Sequence, residues 1–97
     1  MITSKQRAYL RSLANGITPV GQIGKDGVTA GVIDSADKAL SARELIKLTV
    51  LETSLLSAKE ASAALCEALS AEGVQCIGNR LVIYRRNDEK PQIVLPK

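Results

Sequence analysis

The sequence predicts an α/β domain, ordered helix-strand-helix-strand-helix-strand-strand, with a four-stranded mixed sheet and helices packed on it. Three observations lead there. Apolar residues recur at helical spacing in three segments, and short extended runs lie between and after them. Thr3 with Gln6, and Ser57 with Glu60, have the Ser/Thr-x-x-Glu/Gln spacing that opens helices. Gly78-Asn79 separates two strand-like runs, as a two-residue hairpin turn does. Strands that alternate with helices pair in parallel across right-handed crossovers, and the terminal hairpin adds an antiparallel strand. The 97 residues suit one domain over 1–97, with a core over 3–86 and a tail over 87–97.

The first helix is expected over Thr3 to Ala14, with Tyr9, Leu10, Leu13 and Ala14 as its apolar stripe and Arg7 and Arg11 one turn apart. Asn15-Gly16 should stop it, the glycine taking a left-handed conformation. Thr18 to Ile23 reads as extended, with Pro19 near its start. After the turn Gly24-Lys25-Asp26-Gly27, Thr29 can cap a second helix running to about Ala42. Its Val28, Val32, Ala36 and Leu40 would face the core. Glu44 to Leu51 is a strand, with Ile46, Leu48 and Val50 on one side and Lys47 and Thr49 on the other. Leu45 and Leu51 make its ends apolar on both faces, which suggests a central place in the sheet.

From Ser57 an alanine-rich helix is expected to end at Gly73, burying Ala61, Ala64, Leu65, Ala68 and Leu69. Val74 to Ile77 and Arg80 to Arg86 complete the sheet. In the tail, Ile93-Val94-Leu95 is apolar enough to dock on the domain.

At 45% hydrophobic and 24% charged, the composition is globular. No apolar run reaches the roughly 20 residues of a membrane helix, and charges interrupt the first ten residues where a signal peptide is apolar. A cytoplasmic protein is expected. Cys66 and Cys76 lack a metal-site spacing, and the chain has no histidine, so neither a metal nor another cofactor is expected. The missing histidine also removes the commonest general base at neutral pH, and the chain reads as no enzyme. Nothing in the sequence demands a dimer, so a monomer is expected.

Charge is distributed unevenly. Residues 48–73 set Lys59 against Glu52, Glu60, Glu67 and Glu72, a net −3, which leaves +6 for the rest of a chain carrying +3. Such asymmetry suits one face to a polyanion, although an ordinary solvated surface also accommodates it. Gly24-Lys25-Asp26-Gly27, between a strand and a helix, lets backbone approach a phosphate without a Cβ in the way. A GxxG loop of this kind clamps the nucleic-acid backbone in one class of RNA-binding domain. The pattern also occurs in turns with no ligand, and Asp26 places a negative charge where phosphate would sit. Strand alternation puts Arg80, Val82, Tyr84 and Arg86 on one face, offering cations for phosphates and a ring for stacking. The same residues suit a charged sheet edge that resists aggregation. Arg7 and Arg11, with Lys5 nearby, form a third basic element. With two tyrosines and no other aromatic residue, an array of base-stacking rings cannot be built, which favours backbone and shape recognition of folded RNA.

The string PVGQIGKDGVTAG from Pro19, the strand ELIKLTVL and the closing GNRLVIYRR resemble the YhbY-like CRM-domain proteins, RNA-binding domains associated with chloroplast RNA splicing and ribosome maturation. The resemblance extends from Thr3 to about Arg86. It implies a fold akin to the C-terminal domain of the third bacterial translation initiation factor, with an added N-terminal helix. It also implies RNA as partner, as large-subunit ribosomal RNA or pre-ribosomal particles. RNA contact carries over to Gly24, Lys25 and Gly27, and Arg80, Arg85 and Arg86 fit the family's basic surface. Thr29, Arg7, Arg11 and Tyr84 complete the expected RNA-binding set. The competing expectation is a protein-interaction adaptor using the third helix or the 93–95 tail.

Overall fold

Seven elements form in the expected order in the computed structural model, which describes residues 2–96. They are α1 (Ser4–Ala14), β1 (Gly21–Ile23), α2 (Ala30–Arg43), β2 (Leu45–Val50), α3 (Ala58–Leu69), β3 (Glu72–Ile77) and β4 (Arg80–Tyr84). Met1 and Lys97 of the expected 1–97 domain lie outside the described residues. Both capping boxes form. Gln6 N donates to Thr3 Oγ1 and Glu60 N to Ser57 Oγ, each at 3.1 Å, and the Gln6 and Glu60 side chains accept the cap amides in return.

Helix ends depart from the sequence reading. Past α1, Gly16 stays out of the left-handed region; the amides of Gly16 and Ile17 reach the carbonyls of Leu13 and Ala14, closing a tighter last turn. The third helix stops at Ser70, which is itself left-handed (φ 54°), and Gly73 instead belongs to β3 beside a register shift. There is a simple physical reason. Ala71 N bonds Cys66 O, and the chain must then reverse at once for Glu72 to pair with Tyr84. Ala68, expected inside, is exposed, and Ser62 is buried in the stripe. The strand expected over 18–23 shortens to three residues, since Pro19 has no N–H to add to the ladder.

The sheet order is β1-β2-β4-β3, with β1 parallel to β2 and both other pairs antiparallel. The doubly apolar β2 is central, as its composition predicts. On one face Ile46, Leu48, Leu81 and Ile83 pack with Ala36 and Leu40 of α2 and Ala61 and Leu65 of α3. On the other, Leu45, Val74, Val82 and Tyr84 lie in one cluster with Leu10 and Ala14 of α1.

Alternation in β4 leads to a correction. Tyr84, expected on a solvent face, is 3% exposed beneath α1, and Val82 is buried beside it. Alternation identifies which residues share a face but not whether a helix covers it. A ring placed there is closed to stacking with a base. Burial, reinforced by the nearby Glu44 carboxylate, pushes the Tyr84 hydroxyl above its ordinary value.

Glu44, read from sequence as the first residue of a strand, is the cap of α2 and is fully buried. Its backbone lies at φ 66°, a region costly for a side chain other than glycine. Glu44 N closes α2 on Leu40 O at 2.8 Å, and Glu44 O accepts Arg85 N at 2.9 Å. Its carboxylate accepts the amides of Asn87 (2.7 Å), Ile93 (2.8 Å) and Gln92. The tail is thereby pinned. Ile93 and Leu95 pack into the α1 cluster, Gln6 Nε2 donates to Pro96 O at 3.0 Å, and Val94 alone of the triplet points outward, 85% exposed. Burial by itself would raise the Glu44 carboxyl. The three backbone amides, with Arg86 nearby, outweigh it and hold the group below its ordinary 4.5.

A group whose folded-state value is depressed stabilises the fold above its ordinary value, and that contribution is lost as pH falls through the lowered one. Glu44→Gln should therefore lower the thermal midpoint at pH 7, by an amount equivalent to roughly 1.5–3 kcal/mol for the lost charge-assisted bonds. Melting both proteins from pH 7 to pH 3 should show the gap closing in acid as native Glu44 protonates. A gap independent of pH would mean that the charge does not hold the tail.

Candidate nucleic-acid interface

Parallel pairing of β1 and β2 brings the loops that follow them to the same end of the sheet. Leu51 N bonds Ile23 O at 2.8 Å, and Val50 N bonds Asn79 O at 2.6 Å. The β1–α2 loop, the 51–57 loop and the β3–β4 hairpin therefore stand together, with the first turns of α2 and α3 beside them.

In the glycine loop, Gly27 N donates to Gly24 O at 3.0 Å, closing a four-residue turn with Lys25 and Asp26 exposed at its tip. Gly27 takes φ 71°, whereas Gly24 does not use a positive φ. A Cβ on Gly27 would meet Leu56 Cδ1 at 3.4 Å, so the turn rests on the 51–57 loop. Thr29 Oγ1 accepts Val32 N at 3.2 Å, capping α2 as expected.

The sheet face shared with α1 continues to this end. Gln22, Thr49, Arg80 and Ile77 form one row across all four strands. Lys47, Val82 and Gln75 form the next row, and Leu45 and Tyr84 belong to the row beyond, within the α1 cluster. Arg80 and Gln22 are exposed, Lys47 and Thr49 half-exposed, and Ile77 is 64% exposed. Lys47 is the cation that the sequence reading left out of the site. The alternation in Ile46 to Val50 already put it opposite the core face, but only strand pairing shows it beside Arg80's row.

The expected site residues are thus divided. Gly24, Lys25, Gly27, Thr29 and Arg80 share the loop end. Arg85, Arg86 and Tyr84 lie at the opposite end. Arg7 sits on α1 and gives its Nε to Gly73 O at 3.0 Å, also toward that far end; Arg11 is exposed on the same helix. Arg85 serves the fold. Its guanidinium bonds Asp37 Oδ1 (2.7 Å), Asp37 O (3.1 Å), Ser41 Oγ (3.0 Å) and Leu69 O (3.3 Å), tying α2 to the end of α3. Arg86 lies 3.5 Å from Asp88 and is mostly exposed. The acidic stretch reaches this end as well: Glu52 and Glu60 stand there, Glu60 with its carboxylate engaged by Ser57 N and held below its ordinary value by its bonds to Ser57.

A four-stranded mixed sheet with helices on both faces, carrying a glycine-flanked lysine turn and an exposed Arg80 at one end, defines a small α/β domain. Residues 2–85 match the CRS1 / YhbY (CRM) domain, and the chain belongs to that family. It is 42% identical over 96 residues to the probable RNA-binding protein YqeI of Bacillus subtilis, covering 99% of this chain and 100% of that protein. It is 34% identical to an RNA-binding protein of Haemophilus influenzae, covering 99% and 96%. The solution structure of SAV1595 from Staphylococcus aureus, proposed to bind RNA, superposes with a TM-score of 0.84 at 47% identity, covering 99% of this chain and all of that one. No helix among the described residues is long and apolar enough to cross a membrane.

Two substitutions separate loop conformation from loop contact. Gly27→Ala should cost about 1–2 kcal/mol, because only Gly27 of the pair is left-handed. Gly24→Ala should cost less, its Cβ meeting Leu51 Cδ1 at an ordinary 3.8 Å. Equal losses in urea unfolding would contradict the assigned turn. Arg85→Ala should destabilise by about 1–3 kcal/mol, since it strands Asp37 and the Leu69 carbonyl; an unchanged urea midpoint would remove Arg85 from the framework.

Proposed function

We propose that the protein is a non-catalytic RNA-binding domain that recognises structured large-subunit ribosomal RNA through its backbone, and acts as a cytoplasmic monomer in assembly of that subunit. The observation that carries this reading is the shared sheet end of Lys25 on its glycine turn and Arg80 on the uncovered outer row, with half-exposed Lys47 one row further in. Cations on rigid elements at fixed spacing suit phosphates along a folded backbone, which position a protein without reading sequence. Family membership and the RNA-binding names of the relatives support RNA as the polyanion. The adaptor reading has less to work with. The apolar stripe of α3 is buried, and Ile93 and Leu95 are already packed against α1.

Titration against large-subunit ribosomal RNA over a salt series is the direct test. Affinity should fall with a log–log slope of about −0.7 to −0.9 per phosphate neutralised. Lys25→Ala and Arg80→Ala should each make the slope shallower by about one contact. Binding that ignores salt, or slopes untouched by both variants, would overturn the reading.

A further inference from the structure

Between the outer edge of β1 and the first turns of α2 runs a groove of about 420 Å3, within the rough 300–1,000 Å3 of small-ligand sites. Gly21 and Gln22 form one wall, Gly31 and Ser35 the other, with Val32 and Leu48 as apolar lining. No charged side chain lines it. Among the described residues β1 pairs with β2 alone, so its outer edge is a free sheet edge there, with peptide N–H and C=O groups. The Gly24–Val28 loop connects β1 to α2 and so joins the elements that form the two walls, with Lys25 exposed on it.

We infer that this groove receives one unpaired RNA nucleobase, with an adjoining phosphate at the Lys25 turn; the inference rests on the RNA-binding reading above. The chemistry matches in its parts. A base is a flat, neutral ring with a polar rim, and it meets apolar lining, an amide, a hydroxyl and a strand edge without stranding a buried charge. The phosphate remains outside, beside the cation. Stacking aromatics are not available: Tyr84 is buried, and Tyr9 is on α1. A slot therefore replaces a platform. Gly31 bears this out locally. A Cβ there would meet only Thr29 Oγ1, at 3.8 Å, so packing does not require glycine. Glycine in a helix is less favourable than alanine; what it leaves at Gly31 is open groove. Duplex RNA cannot place a paired base there, so the partner is a folded RNA with a bulged or looped nucleotide.

The test compares two hairpin RNAs of equal length, one fully paired and one with a single bulged nucleotide. The full-length protein should prefer the bulged hairpin by about tenfold, or roughly 1.4 kcal/mol. Gly31→Leu, and separately Ser35→Leu one turn on, should bring that hairpin down to the affinity of the paired one. Neither should lower the thermal midpoint or alter the salt slope, because both add apolar volume to open space. Lys25→Ala should weaken both hairpins alike. Equal native affinity for the two hairpins, or a preference that survives both groove-filling variants, overturns the groove assignment while leaving RNA binding in place. Absence of binding to either hairpin and to ribosomal RNA overturns the underlying reading, and the inference with it.

Discussion

A carboxylate with no solvent exposure cannot remain uncompensated, since desolvation penalises its charged form by several kcal/mol. Glu44 meets this constraint by collecting three amides from one stretch of chain, Asn87, Gln92 and Ile93. Much of the architecture follows from that choice. The backbone N–H of the same residue closes α2, its carbonyl extends the pairing of β2 with β4 through Arg85, and its carboxylate draws the tail across the sheet end. Ile93 and Leu95 then reach the α1 cluster and enlarge a core that one eleven-residue helix covers only in part. The strained backbone at Glu44 persists because these interactions over-determine it.

Arg85 makes the matching closure on the opposite face. Its guanidinium joins α2 to the Leu69 carbonyl at the end of α3, while its neighbours in β4 face the core. Glu44 and Arg85 together close one end of the sheet, the carboxylate on the tail amides and the guanidinium on Asp37, Ser41 and Leu69. The loop end has no such seal. Its turns are tied down by backbone bonds, and its cations extend outward. The arginines divide by position: Arg85, where β4 ends beside α2 and α3, ties the fold together, and Arg80 stands exposed on the uncovered row.

The two sheet faces explain why the exposed rows exist at all. α2 and α3 cover their face together, and β1 contributes Ile23 to that core. α1 is the one helix on the other face, with the tail's Ile93 and Leu95 beside it, so the row of Leu45 and Tyr84 is buried while the row of Gln22, Thr49 and Arg80 is not. A half-covered sheet thus becomes hydrophobic at one end and polar at the other without any change in strand composition rules.

Local chemistry in the sequence determined the element order, both capping boxes, the Thr29 cap, the Gly78-Asn79 hairpin and the central place of β2, because caps, turns and periodicity act over a few residues. The glycine turn and its lysine were legible for the same reason, as was the docking of the tail's apolar residues. Tertiary structure alone decided which cations face solvent. Alternation sets Arg80 and Arg85 on opposite faces of the strand, but only packing shows one on an open row and the other held by α2 and the end of α3. Tyr84 failed as a surface residue because α1 covers its face, and Lys47 gained its place because β4 sets Arg80 one row away. Glu44 was invisible as a hub, since its partners lie more than 40 residues along the chain. Burial and long-range pairing are sums over distant segments, and no local spacing encodes them.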